Sequence, residues 1–299
     1  MELLLLLLFL PVLTEASSGS HSSWCERGCD CRGDLKFTIC SRALFTRVPG
    51  RVPPNTELLD LSDNHISVVP RGSFCKTRKL RFLLLQNNNI SAVEDGGFSQ
   101  MEFLQKLDLS WNRISALTAG FSAGLAFLRE LQLAHNRLDG LDSRSFLHLD
   151  RLQRLNLSSN AIRTIQVRSF SSMSGLRQLH LRGNRLRSLR SGMFSMLRSL
   201  EVLDLSGNQI AVADTASFKP LTSLALLDLA DNRMSTIKLQ NCFDFKATFL
   251  KSNKICSPGK RFQTSQFHFC RISHLLHNKN ASFQTAVPMT PNQFSPSLP

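Results

Sequence analysis

The chain has 299 residues, 36 basic against 22 acidic side chains, and a formal net charge of +14. It holds no nucleophile–base spacing, phosphate-cradling glycine loop or metal motif, so the familiar enzyme classes are not expected and no cofactor is implied. After the leucine-rich start no apolar run of 18 or more residues follows, and a membrane span is not expected either.

In chain order, residues 1–16 read as a signal peptide, with Leu3–Leu8 as the apolar core and Thr14-Glu15-Ala16 as a small-x-small cleavage site. That predicts a secreted, extracellular protein, and for an exported chain nucleic acid is not an expected partner. Cys25, Cys29, Cys31 and Cys40 follow as C-x3-C-x-C-x8-C within residues 24–54. In an oxidising compartment this spacing favours bridges over a zinc site.

Residues 55–240 are dominated by a repeat. Asn64, Asn88, Asn112, Asn136, Asn160, Asn184, Asn208 and Asn232 stand 24 residues apart. Around Asn208 the frame reads Leu200, Leu203, Leu205, Ile210, Phe218, and the same offsets give Leu152, Leu155, Leu157, Ile162, Phe170 around Asn160. Each x-L-x-L-x segment is predicted to be a short strand with both leucines pointing inward. One unit cannot bury them alone, so the units stack into a parallel sheet of eight coils, on the order of 35 Å long at ~4.8 Å per strand. The asparagine after each strand is expected to turn inward and bond backbone groups of its own and a neighbouring coil.

A second column, Phe74, Phe98, Phe146, Phe170, Phe194 and Phe218, is expected on the convex side. It breaks once: Phe121 arrives one residue early and Ser122 takes the usual place, with Gly120 and Gly124 flanking. A local repacking of the convex wall is predicted there.

The frame matches L-x-x-L-x-L-x-x-N-x-L, and the chain resembles the extracellular leucine-rich-repeat family in its 24-residue form over about residues 24–240. The resemblance implies an α/β solenoid, a horseshoe with a concave parallel sheet. It also implies that the cysteine-rich segment caps the open end of the stack with bridges Cys25–Cys31 and Cys29–Cys40. Function follows by analogy: a binding scaffold for a protein at the cell surface or in matrix. A structural matrix component, resembling the small leucine-rich proteoglycans, is the second reading, although their N-terminal cysteine spacings differ. A soluble form or decoy of an anchored or innate-recognition receptor is the third.

Which residues touch a partner is read from the surface columns. Trp111 beside His135, with Arg154, His180, Asp204 and Asp228 further along, forms a candidate protein-binding patch, since aromatics and arginine are common interface anchors. For Trp111, partial packing against its neighbours is an equal reading. Asp204 and Asp228 could accept a partner's basic group, but two carboxylates on a flat sheet make a poor calcium cage.

Between Arg144 and Arg198 lie eleven arginines, no lysine and one acid, Asp150. Arg163 and Arg187 occupy equivalent positions of adjacent coils, roughly 5 Å apart. With Arg182, Arg185 and Arg190 they make a candidate site for an anion, of the heparan-sulfate-like glycan kind; a solvated basic flank is the alternative.

N-x-S sequons place candidate glycans at Asn89, Asn156 and Asn280. Cys75 is too far from Cys242, Cys256 and Cys270 to pair with them, and is expected to be a buried free thiol or an intermolecular link. Residues 241–256 read as a degenerate ninth repeat or atypical C-terminal cap. The alternative is that the whole far end is a different ending of a longer chain. Residues 257–299, rich in Ser, Asn, Gln and Pro, are expected to be largely disordered.

Overall fold

A computed structural model describes residues 25–34, 36–234 and 247–249. The proposed signal peptide, Asn280, the cysteines after Cys75 and most of residues 241–299 lie outside them.

The leucine frame becomes strands of three residues each. Leu58–Asp60, Phe82–Leu84, Lys106–Asp108, Glu130–Gln132, Arg154–Asn156, Gln178–His180, Val202–Asp204 and Leu226–Asp228 pair in parallel, in chain order, each with the strand 24 residues on. Asp30–Arg32 and Phe37–Ile39 form an antiparallel pair that extends the sheet at its first edge, and Ala247–Phe249 extends it at the last, giving eleven strands. The offset from Leu226 to Ala247 is 21 residues rather than 24, the same shortening seen between Asn232 and Asn253. Among the described residues there is no α-helix, and the convex side is built from turns, two-residue strands and one 3-10 turn at Thr215–Ser217.

Burial explains why the units stack. Both leucines of every repeat, from Leu59 and Leu61 through Leu227 and Leu229, have no solvent exposure. Each such side chain contributes about 1.5–3 kcal/mol on removal from water, and none could do so without the coils on either side. The first coil is closed by the disulfide segment. Cys25–Cys31 and Cys29–Cys40 are bridged, Cys40 is fully buried, and Thr38 and Thr56 share a buried hydroxyl–hydroxyl hydrogen bond of 2.9 Å behind it.

The asparagines satisfy the turns that the leucines bury. Asn160 donates from Nδ2 to the carbonyls of Leu157 and Ser158 in its own coil (3.1 and 3.3 Å) and of Leu133 in the preceding one (2.9 Å). Its Oδ1 accepts the Leu138 amide, also of the preceding coil, at 3.0 Å. The pattern recurs at Asn88, Asn112, Asn136, Asn184, Asn208 and Asn232. Asn64 extends it into the cap, donating to the Cys40 carbonyl and accepting from the Ala43 and Phe45 amides.

The convex column is a ring stack with a fault. Phe74–Phe98, Phe146–Phe170 and Phe170–Phe194 lie nearly parallel at 6.0–6.3 Å, whereas Phe98 meets Phe121 edge-on, at 89°. Ser122, fully buried in the missing phenylalanine's place, hydrogen-bonds the Leu147 carbonyl of the next coil. The repacking predicted from Phe121 is therefore present, and a hydroxyl fills the gap. Gly124 permits it: its φ is +92°, and a Cβ there would run into the Phe98 carbonyl oxygen. One expectation fails. Cys75 is exposed, not buried, because it follows Phe74 in the turn and points away from the ring column.

Two substitutions test this construction by urea denaturation. Asn160→Ala strips four hydrogen bonds from buried backbone groups and is expected to cost about 3 kcal/mol or more; an unchanged midpoint would show that the ladder does not hold the coils. Gly124→Ala is expected to lower the midpoint as well, by about 1–3 kcal/mol from backbone strain, with the Phe98–Phe121 contact disturbed.

Candidate functional site

The concave surface is set by the residues that alternate with the buried leucines. Beyond each strand, the residue before the ladder asparagine adopts a left-handed backbone in all eight coils: Asp63, Asn87, Trp111, His135, Ser159 and Asp231 have φ between 54° and 57°, and Gly183 and Gly207 have 67° and 65°. This conformation costs a non-glycine residue about 1–2 kcal/mol. It is held by the next coil: the amide of Trp111 donates to Ala134, that of His135 to Ser158 and that of Ser159 to Arg182, at 2.7–2.9 Å. The side chains consequently leave the sheet's edge toward solvent and meet one another. Asn87 bonds Asp63 at 2.8 Å, and Trp111 stacks on His135 with ring centroids 3.7 Å apart and planes 8° from parallel. Trp111 still exposes 56% of its surface. One ring face is packed on His135, as the packing reading expects, and the residue still offers exposed surface.

The remaining candidates do not join this pair into one patch. Arg154 is drawn to Glu130, which also binds Lys106, at 3.1 and 2.9 Å. Burial raises the Glu130 carboxyl, but Lys106, Gln132 and Arg154 outweigh it and leave it below the ordinary glutamate range. This node was missed, although Lys106, Glu130 and Arg154 stand at one strand position of successive coils with alternating charge.

His180, Asp204 and Asp228 form a second cluster on three adjacent strands. His180 Nδ1 lies 4.0 Å from Asp204 Oδ2, beyond hydrogen-bond distance. Burial pushes the Asp204 carboxyl up, yet His180 and the Ser206 hydroxyl and amide hold it below its usual range. Burial raises Asp228 too; the Ala230 amide only partly offsets this and the Asp204 charge adds to it, so Asp228 lies above its usual range. Asn156 stands between the two clusters with its Oδ1 taken by the Ser158 amide. Asn89 is half-buried on the flank just after its ladder asparagine.

Of the arginines, the structure brings together Arg163, Arg185 and Arg187. With Gln209 they line an open cleft of about 260 Å³ on the flank that follows the ladder. Arg182 lies instead on the concave side, where its charge reaches Asp228, and Arg190 is exposed outside the cleft. Gln209, at the Arg185 position of the next coil, is uncharged and gives no signal in a pattern of cations. No cluster of three or more His, Cys, Asp or Glu side chains able to hold a metal occurs among the described residues.

Residues 54–114, 78–138, 127–186 and 174–234 each match the family profile described as leucine rich repeat. The chain belongs to the leucine-rich repeat family. Leucine-rich repeat-containing protein 3B of Danio rerio is 42% identical over 91 residues, covering 28% of this chain and 33% of that protein. This leucine-rich repeat chain spans a third or less of the length of the curated relatives it matches. Among solved structures, human 5T4 (Wnt-activated inhibitory factor 1, trophoblast glycoprotein) superimposes with a TM-score of 0.61 at 27% identity, over 70% of this chain and 82% of that one. TLR13 in complex with the single-stranded RNA ssRNA13 gives 0.59 at 30% identity, over 62% and 26%. The leucine-rich repeat is typically a non-enzymatic binding scaffold, and no described helix is long and apolar enough to cross a membrane.

The acid pair gives a test with a sign. Asp228→Asn removes a buried charge beside Asp204 and keeps an acceptor for the Ala230 amide, so it is expected to raise the urea midpoint at pH 7. Because the carboxyl of Asp228 is raised by folding, that advantage is present above its folded pKa and disappears as pH falls through it. Asp204→Asn is expected to lower the midpoint at neutral pH, and its deficit fades as pH falls through the depressed Asp204 value.

Proposed function

We propose that the chain is a secreted scaffold that recognises a protein at the cell surface or in matrix, with the N-terminal half of the concave edge as its contact surface. The observation that carries this is Trp111. A tryptophan held in a strained left-handed backbone, braced on one face by His135 and with more than half of its surface exposed, is a preorganised anchor. Its rigidity lowers the entropy lost on binding. The charged clusters differ: the Lys106–Glu130–Arg154 node spans the strands of the Trp111 and His135 coils and the next one, and the acid pair Asp204 and Asp228 lies several coils away.

A glycan at Asn156 would stand between those regions and direct a protein partner to the Trp111 side. The leucine-rich-repeat relatives and the 5T4 likeness support a protein ligand and an extracellular setting. The leucine run at residues 1–16, the two disulfides and the sequons support export. Sulfated glycan is the second ligand class that the surface chemistry admits.

Binding of the tagged, secreted protein to a panel of cell lines, followed by proximity labelling, tests the reading. Trp111→Ala is expected to weaken saturable, protease-sensitive binding roughly tenfold or more, while Asp231→Ala, at the equivalent position of the last coil, leaves it unchanged. Equal binding by all three proteins would sink the assignment.

A further inference from the structure

The arginine cleft is a different kind of site from the concave edge. Arg163 belongs to the coil of Asn160, Arg185 and Arg187 to that of Asn184, and Gln209 to that of Asn208, so the cleft crosses three coils, roughly 10 Å of the stack. Backbone bonds between coils fix this spacing: the Arg185 amide donates to Ile162, the Gln209 amide to Leu186, and the Ala211 amide to the Arg187 carbonyl, at 2.9–3.0 Å. Three guanidinium groups are thus gathered by the fold at a distance where they repel. Among the described residues no carboxylate lies within ion-pair distance of any of them. Asp139, one coil before Arg163 in the same column, remains exposed and makes no such pair. On the concave side Lys106, Glu130 and Arg154 of neighbouring coils place opposite charges together. The flank does the reverse with cations.

Arg113, Arg137 and Arg233 occupy the Arg185 position in other coils and are exposed. They extend the positive surface along the solenoid axis on both sides of the cleft. A single inorganic anion would meet only its centre. A linear chain bearing many anionic groups, and hydroxyls for the Gln209 amide, matches both the row and the cleft.

We propose that this flank is a binding track for a sulfated polysaccharide lying along the solenoid axis, with Arg163, Arg185 and Arg187 gripping one sulfo group and Gln209 bonding an adjacent sugar oxygen. The proposal rests on the extracellular setting argued above, and deepens it by separating two surfaces: protein on the concave edge, polysaccharide on the flank. Guanidinium groups present paired donors to each sulfo group, which a scattered lysine surface does not.

Heparin serves as the probe. The variant Arg163→Ser/Arg185→Ser/Arg187→Ser is compared with Lys76→Ser/Arg78→Ser/Lys79→Ser, which removes the same formal charge from exposed positions of the first coil. The first is expected to bind immobilised heparin roughly tenfold more weakly and to leave the column at lower salt, with an unchanged urea midpoint; the second is expected to shift far less. Equal shifts would show an unstructured charge effect and overturn the site. Fully desulfated heparin is expected not to compete. A single-stranded RNA that displaced heparin at equal charge would overturn the assignment to sulfated sugar. Trp111→Ala is expected to keep full heparin affinity, so failure of the flank and failure of the concave edge are read separately.

Discussion

The solenoid depends on the buried asparagine amide. Leucines drive the coils together without direction, but a turn buried between two apolar coils would leave peptide groups without partners, each costing about 1–3 kcal/mol. Asn160 and the six ladder asparagines that share its pattern answer this with four bonds apiece, two of them to the coil before. The ladder therefore has a polarity: each coil's inner turn is completed by the asparagine of its successor. At the first coil the same device reaches the disulfide segment through Asn64 and Cys40, so cap and array are one hydrogen-bonded body.

How much of this could be read from residues alone follows from what a period encodes. The eight strands, their leucines, the ladder and the cap bridges recur at fixed offsets or carry a family spacing, and they stand where the frame of Leu203, Leu205 and Asn208 puts them. The fault at Phe121 was visible as a one-residue shift. Its remedy, the Ser122 hydroxyl on Leu147, was not, because a hydrogen bond between coils leaves no mark in a periodic pattern. Cys75 was misjudged for a similar reason: its neighbour Phe74 is buried, and a turn alternates inside and outside with no fixed period.

The candidate surface was legible one column at a time and illegible across columns. Trp111 and His135 share a column, and their adjacency could be read directly; the parallel stacking of their rings could not. Arg154 was placed with them as an anchor, yet its charge is engaged by Glu130 from the neighbouring strand. The arginine cleft joins two columns, those of Arg163 and Arg185, that sequence reading had merged into one run of five. Whether side chains of neighbouring columns meet depends on which way each turns out of the coil, and that is decided by the turn geometry after each strand.

That geometry also separates foldability from specificity. At the left-handed position the amide is bonded to the following coil from Asp63 through Gly207, and the backbone is the same whether Asp, Asn, Trp, His, Ser or Gly occupies it. Eight such posts run in a single file along the rim, and six residue types already stand there with the leucines behind them equally buried. Evolution or an engineer can therefore rewrite the reading head of this protein letter by letter while the frame that carries it stays the same.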